Sequence, residues 1–489
     1  MIKDKDYYLD WIYGRGNSAG KRRDLSAIKA LLNELGNPQD KIKVIHIAGT
    51  NGKGSTANYI ANTLAKTSKC GLFTSPYMVE INEEVQINGK AISDEEFFSY
   101  IDLIKPICEK LDKRDLKNTY FEVMTALMYK YFYDKKVDVC VVETGLGGRL
   151  DSTNIVKKPL ATIITTISMD HTNILGNTIE EIAWNKAGII KENVPVFIYP
   201  QVKEALDVIL KEANEKNSRI YKFDFDEIKI KTQNDNYNEF DFRNYKNIKT
   251  SLIGKVQIYN ACNAINFLDY FKEGFFLDEN IIKEGIFESK NSGRMELISK
   301  SPKVLIDGSH NKESIDALIK SLKIFKYNRL IVGFSVLKDK DYDYIIENLS
   351  SVADEMVITK VDNPRAFDLG ELEKIVREKF TNFKAIDDIK NAYEYSKQIS
   401  KENDLVLLVI PQDAEAPKFR LIKPQVMTIR EIIDKNATAV STNLKNLENT
   451  LNSFNKKPDL VITDSQYFKE VYNILDKEIK LTSKEDINL

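Results

Sequence analysis

A chain of 489 residues is too long for one hydrophobic core and divides into two or three domains. Hydrophobic residues make up 43% of it and prolines number twelve, as in a globular protein, and 71 basic against 73 acidic residues exclude the broad positive field that holds nucleic acid or anionic lipid. No apolar stretch reaches the length of a membrane span and Met1 to Asp10 lacks the apolar core of a signal peptide. Cys70, Cys108, Cys140 and Cys262 show no CxxC spacing, so a reducing cytoplasm is expected, without disulfides or a cysteine metal site.

An amphipathic helix (Leu25 to Leu35) leads through Gly36-Asn37-Pro38 into an apolar strand, Val44 to Ala48. Residues 49–55, Gly-Thr-Asn-Gly-Lys-Gly-Ser, follow it and precede a helical pattern from Thr56 to Lys66. This is the order of a phosphate-binding loop. Gly49, Gly52 and Gly54 let the N–H groups of the loop, Thr50 and Asn51 included, converge on a phosphate. Lys53 adds positive charge and Ser55 offers a hydroxyl to Mg²⁺. Gly54 separates Lys53 from Ser55, so the loop departs from the ordinary Walker pattern.

Further along, the pattern predicts a short strand (Gly71 to Thr74), a turn at Ser75-Pro76, helices over Asp94–Leu111 and Tyr120–Tyr133, and strands over Val137–Val142, Ala161–Ile167 and Val194–Tyr199. Near-continuous apolar strands alternating with helices imply a mostly parallel sheet covered on both faces. Residues 200–250 turn polar and are expected to be surface excursions, before a helix from Ile258 to Phe271. Beyond Arg294, strands over Lys303–Asp307, Arg329–Phe334, Glu355–Lys360 and Asp404–Ile410 alternate with helices as a second, smaller α/β domain.

Ligands of parallel sheets collect at the carboxyl ends of strands, which places Glu143, at the end of its strand, in the crevice of Lys53, where a carboxylate can hold Mg²⁺. His171 follows the next strand, and a neutral imidazole can ligate a divalent metal. Taken alone, Glu143 reads as a solvated turn residue, His171 as a hydrogen-bonded structural histidine and Lys186 as a surface lysine.

In order, HIAGTNGKGS at 46–55, TSP at 74–76, ETGLGGRLDSTN at 143–154, DHTNILG at 170–176, NKAGI at 185–189, QIYNACNA at 257–264, GRMEL at 293–297 and DGSHN at 307–311 resemble the folylpolyglutamate synthase and dihydrofolate synthase branch of the Mur ligases, over about Tyr7 to Val409. The resemblance implies a P-loop, Mur-ligase-like α/β ATP-binding domain over 1–295 and a glutamate-ligase α/β domain over 296–410. It implies Mg²⁺ ions surrounded by Ser55, Ser75, Glu143 and His171, and a carbamylated Lys186 that becomes an anionic oxygen ligand. Asn260 and Arg294 are expected at the nucleotide phosphates, Asp307 at the nucleotide, and His310 where the domains meet over the incoming glutamate; Lys53, Lys186 and His310 form the catalytic set. Asn185, Tyr77 and Lys312 depart from the usual Glu, His and Pro of the family, none of them a proposed metal ligand. The implied reaction joins L-glutamate to a folate or dihydropteroate carboxylate through an acyl phosphate made from ATP.

The end of the chain reads differently. VIPQDAEAPKFRLIKPQVMTIREIID and PDLVITDSQ, within about Leu405 to Ser483, resemble the dimer-forming domain of the hydrogenase maturation GTPase that assembles the [FeFe] cluster. Residues 411–489 therefore read as an appended α/β segment, with a strand over Ala437–Ser441, a helix over Leu444–Phe454 and a strand over Ile479–Thr482. The resemblance implies a chimeric chain joined near the strand Leu405–Ile410, and a homodimer made through the tail. The competing reading is an inactive scaffold directed by its tail to hydrogenase maturation.

Overall fold

The computed structural model describes residues 5–16, 24–361, 363, 365–409, 451, 458, 460–463, 468–475 and 479–483. The chain forms two compact units, Met1–Lys418 and Phe419–Leu489.

In the first unit the strands in chain order are β1 Val44–Ala48, β2 Cys70–Phe73, β3 Val85–Ile87, β4 Lys90–Ala91, β5 Val139–Glu143, β6 Ala161–Ile164, β7 Val196–Ile198 and β8 Ile220–Lys222. They form an eight-stranded sheet in the order β4-β3-β2-β5-β1-β6-β7-β8. From β2 to β8 all pairs are parallel, and β3 and β4 add an antiparallel hairpin at one edge. Every residue of β1 and β5 is buried, as expected of strands covered on both faces. Ile45 and Ile47 pack on one face with the helices Lys53–Leu64 and Lys255–Phe271, while Val44 and Val142 pack on the other with the helices Asp94–Asp112 and Tyr120–Asp134. Because β5 and β6 flank β1, three connections leave the sheet side by side at its carboxyl edge. A crevice at that place is where ligands of open α/β sheets collect.

The polar stretch 200–250 is structured rather than an excursion. It forms the helix Lys203–Glu215, β8, and a three-stranded antiparallel sheet of β9 Ile228–Gln233, β10 Asn238–Phe242 and β11 Tyr245–Thr250. Phe240, Phe242 and Ile248 turn into the main core while charged neighbours such as Lys249 face water. This is the alternation of a half-buried sheet, which an average over composition hides.

The second sheet contains β12 Glu296–Lys300, β13 Lys303–Asp307, β14 Leu330–Phe334, β15 Glu355–Thr359, β16 Phe383–Ile386 and β17 Leu405–Val409, in the order β12-β13-β17-β14-β15-β16. All its pairs are parallel except β12 with β13. β17 is interior and pairs along its length with both β13 and β14, so the strand where the two sequence resemblances meet belongs structurally to this sheet.

In the second unit, β18 Leu460–Thr463 and β19 Lys480–Ser483 pair in parallel, with the helix Phe468–Ile474 between them in sequence. Val471 and Leu475 form its small core with Leu451, Val461 and Ile479. The strand expected over Ala437–Ser441 and, apart from Leu451, the helix expected over Leu444–Phe454 lie outside the described residues. Among the described residues, no helix is long and apolar enough to cross a membrane.

Candidate active site

A cleft of about 530 Å³ opens at the carboxyl ends of β1, β5 and β6 and reaches the second sheet. Its volume is that of a small-molecule site. Gly49, Thr50, Asn51, Gly52, Lys53, Gly54 and Ser55 line it together with Ser75, Glu143, His171, Lys186, Asn260, Arg294, Asp307 and His310, so every residue the sequence offered as a site residue lines one cavity.

The glycine loop runs straight from β1 into the helix Lys53–Leu64, which begins three residues earlier than the periodicity predicts. Gly52, the residue before that helix, has φ +82°, and a Cβ there would lie 2.4 Å from Asn260 Oδ1. At Gly49 a Cβ would meet Thr165 Oγ1 at 1.8 Å. Both positions therefore admit only glycine, for backbone conformation or for close approach. The loop is fastened to the segment after β6, since Thr50 N–H donates to Thr166 O (2.6 Å) and Asn51 N–H to Thr166 Oγ1 (3.3 Å).

Lys53 Nζ lies 3.6 Å from Glu143 Oε1 and donates to Thr50 O at 3.3 Å. Glu143 is buried rather than a solvated turn residue. Burial pushes its carboxyl up from the ordinary range, and the charges of Lys53 and Arg294 work against that shift. Ser75 Oγ is buried with no hydrogen-bond partner among the described residues, while Ser55 Oγ accepts from Asn291 Nδ2 at 2.9 Å. A divalent cation fits here: it would offset the desolvated carboxylate of Glu143 and give the Ser75 hydroxyl a partner. No group of three His, Cys, Asp or Glu able to hold a metal exists among the described residues. The donors that line the cleft are instead one carboxylate, Glu143, the hydroxyls of Ser55 and Ser75 and the imidazole of His171, a set that leaves room for phosphate oxygens on the ion.

Lys186 is buried rather than a surface lysine. It sits on the helix Ile179–Ala187, and its Nζ donates to the carbonyl of Gly49 at 2.7 Å. Desolvation, with help from the nearby charge of Lys53, lowers its pKa to about 7. His171 has φ +48°, and its Nε2 stands 3.9 Å from Asp170 Oδ1. His310 Nδ1–H donates to Gly308 O at 2.9 Å, since a carbonyl can only accept, and its Nε2 lies 3.8 Å from Asp170 Oδ2. Asp307 accepts from Met295 N–H (2.9 Å) and Ser309 N–H (2.9 Å), bonds that hold the segment after Arg294 against the loop bearing His310.

Four residues of the site escaped the sequence reading. Asp170 collects Lys340 Nζ (3.3 Å), Asn311 Nδ2 (3.1 Å) and both histidines. Burial pushes its carboxyl up, but His310, His171 and Lys340 outweigh that and hold it far below the ordinary range. Glu313 accepts from Asn51 Nδ2 at 2.6 Å, and Asn291 reaches Ser55 from the connection between the two sheets. Asp170 opens the quoted motif DHTNILG and Glu313 stands two residues after DGSHN, so both were within reach of the sequence. Lys340 and Asn291 gain their place only from tertiary packing.

Comparison with known proteins follows the same division. The Mur ligase middle domain matches residues 47–268, the Mur ligase glutamate ligase domain matches 293–409, and the hydrogen maturase F dimerization domain matches 396–485. The dihydrofolate synthase/folylpolyglutamate synthase of Bacillus subtilis is 38% identical over 81% of this chain and 94% of its own length. The folylpolyglutamate synthase of Lacticaseibacillus casei is 36% identical over 71% of this chain and 83% of its own. Among solved structures, Mycobacterium tuberculosis folylpolyglutamate synthase complexed with ADP and AMPPCP superposes with a TM-score of 0.75 at 29% identity, over 85% of this chain and 97% of that one.

Proposed function

Because this chain belongs to the dihydrofolate synthase/folylpolyglutamate synthase family of Mur ligases, we propose that it joins L-glutamate to a folate or dihydropteroate carboxylate with cleavage of ATP. The observation that carries this reading is the convergence of the glycine loop, Glu143, Arg294 and His310 on one cleft between two α/β sheets.

A carboxylate oxygen of the pterin substrate attacks the γ-phosphorus of ATP. The bond to ADP breaks, and an acyl phosphate forms. The α-amine of glutamate then attacks the acyl carbon, phosphate leaves with the bridging oxygen, and the amine loses a proton as the amide forms. The loop N–H groups and Lys53 bind the phosphates, and Arg294 adds positive charge on the side of the second sheet. Asn260 packs against Gly52 and so bounds the loop, and Asp307 orients the segments bearing Arg294 and His310. His310 stands with Asp170 and Lys340 where an incoming amino acid would enter between the sheets.

Ser55, Ser75, Glu143 and His171 would hold Mg²⁺, which supplies charge neutralisation at the phosphates. Lys186 is the proposed site of carbamylation, a reading supported by its pKa near 7, which leaves a substantial fraction of the amine as the neutral nucleophile toward CO₂. It must first release the carbonyl of Gly49.

The domain division proposed is 1–295 for ATP binding, 296–410 for glutamate ligation and 411–489 for the appended segment. It is supported by the start of the second sheet at Glu296 and the interior place of β17. We assign the tail a homodimer contact, supported by its match to a dimerization domain, and place the enzyme in the cytoplasm with its substrates. Purified full chain should release phosphate from ATP only when glutamate and either dihydropteroate or a tetrahydrofolate are both present. Release that ignores the pterin and the amino acid would defeat the assignment.

A further inference from the structure

The helix Lys312–Leu322 starts from Asn311, whose Oδ1 caps Ser314 N–H at 3.0 Å. In its first turn Glu313 turns one carboxylate oxygen, Oε2, toward three donors: Asn51 Nδ2 at 2.6 Å, Ser168 Oγ at 2.7 Å and Thr166 Oγ1 at 3.2 Å. Hydrogen bonds to an ionised acceptor are about twice as strong as neutral ones. The donors belong to the glycine loop and to the segment after β6, whereas Glu313 belongs to the first helix of the second sheet. Beside it, the amides of Asn51 and Asn311 bond to each other in both directions, at 3.3 and 3.1 Å.

Thr166 also holds the glycine loop itself, because its O accepts from Thr50 N–H and its Oγ1 from Asn51 N–H. One carboxylate thus fastens both the glycine loop and the segment after β6 to the lobe that carries His310. Two-step coupling needs such a joint: the acyl phosphate is made against the loop, and the amine must meet it from the other lobe. A misplacement of about 1 Å between reacting groups can cost about a hundredfold in rate.

We infer that Glu313 is a positioning residue of the ligase reaction, a latch that sets the glycine loop in register with the second lobe through Asn51, Thr166 and Ser168. The inference rests on the ligase reading of the site, and its test separates the two.

The full chain is compared as wild type, Glu313→Ala, Glu313→Gln, Ser168→Ala and the Glu313→Ala/Ser168→Ala double variant. The readouts are steady-state phosphate release and the affinity for the non-hydrolysable analogue AMPPCP, with thermal unfolding confirming that each variant folds. Glu313→Ala should lower kcat about tenfold or more and weaken AMPPCP binding about threefold or more, and Glu313→Gln should recover much of both, because its amide oxygen still accepts from Asn51 and Ser168. The Ala pair should be clearly non-additive, as for groups in direct contact. Values for Glu313→Ala within about twofold of wild type in both readouts, or strict additivity of the pair, would overturn the latch. If Glu313→Ala fails to fold, Ser168→Ala decides: it should lower kcat while keeping the wild-type melting temperature, and unchanged kcat would overturn the latch. If wild type forms no amide, the ligase reading fails, and AMPPCP affinity across the same variants still decides whether Glu313 holds the loop.

Discussion

Lys186 Nζ donates to the carbonyl oxygen of Gly49 at 2.7 Å, so a buried amine lies against the first residue of the phosphate loop. With its pKa lowered to about 7, this lysine resists the charge that an exposed lysine would carry. The folded pKa lies below the unfolded one, so the cost of burying the charge is fully present below about pH 7 and is relieved as pH rises toward the unfolded value near 10.4. In CO₂-free buffer, where the amine is not carbamylated, denaturant unfolding should therefore show Lys186→Met more stable than wild type near pH 6, with the gap shrinking by about pH 9.5. Parallel stability curves would contradict the depressed pKa. In the same protein, stripping dissolved CO₂ should lower ligase activity and bicarbonate should restore it, as a carbamylated Lys186 requires.

Lys53 and Glu143, 3.6 Å apart, carry opposite charges on the floor of the cleft. Loss of preorganised charge at a phosphoryl site typically costs about two to three orders of magnitude in kcat. Lys53→Ala and Glu143→Ala should each abolish glutamate-dependent ADP release by about that factor. Glu143→Gln, which keeps the shape and removes the charge, should be nearly as impaired. Near-normal turnover in any of the three would remove that residue from the chemistry.

Much of this cleft was legible in the sequence, because its motifs are short, contiguous and placed at strand ends. The loop 49–55 announces itself by three glycines, a lysine and a serine after a buried strand, and the structure puts it there. What could not be read is which side chains are dry. Lys186 and Glu143 look like surface residues to any rule based on residue type, and only the packing of the helix Ile179–Ala187 and the interior position of β5 bury them. The polar stretch 200–250 misleads for the same reason. Its strands β9–β11 are buried on one face, so their mean polarity hides the alternation that matters. The joints between lobes, Glu313 to Asn51 and Lys340 to Asp170, join positions far apart in the chain and leave no local pattern.

Lys340 and Asp170 form a largely buried ion pair at 3.3 Å, with side-chain exposures of 5% and 9%. Removing one partner of such a pair strands the other charge, at a cost of about 3–5 kcal/mol. Asp170→Asn and Lys340→Met should each lower unfolding stability by that order, and the double variant should lose less than the sum. Because the carboxyl of Asp170 is held far below its ordinary range, the contribution is present above the unfolded value near 3.9 and lost as pH falls through the folded one. Additive losses in the double variant would mean that the two charges do not act as a pair.

The interior position of β17 defines how the tail can be removed. A chain ending at Lys418 retains β17 and the whole first compact unit, whereas one ending before Leu405 would take out the strand between β13 and β14. Light scattering should give a dimer for the full chain and a monomer for the chain ending at Lys418, with ligase activity retained by the latter. Equal oligomeric states would remove dimerisation from the tail.

The central claim is that a pterin carboxylate is energised by phosphorylation in this cleft before the amine attacks. Dihydropteroate or tetrahydrofolate carrying ¹⁸O in its carboxylate tests it most directly, with the released phosphate analysed by mass spectrometry after turnover with ATP and glutamate. Transfer of one ¹⁸O into phosphate, matched to amide formed, is the predicted result. Amide formation with unlabelled phosphate would contradict the acyl phosphate route.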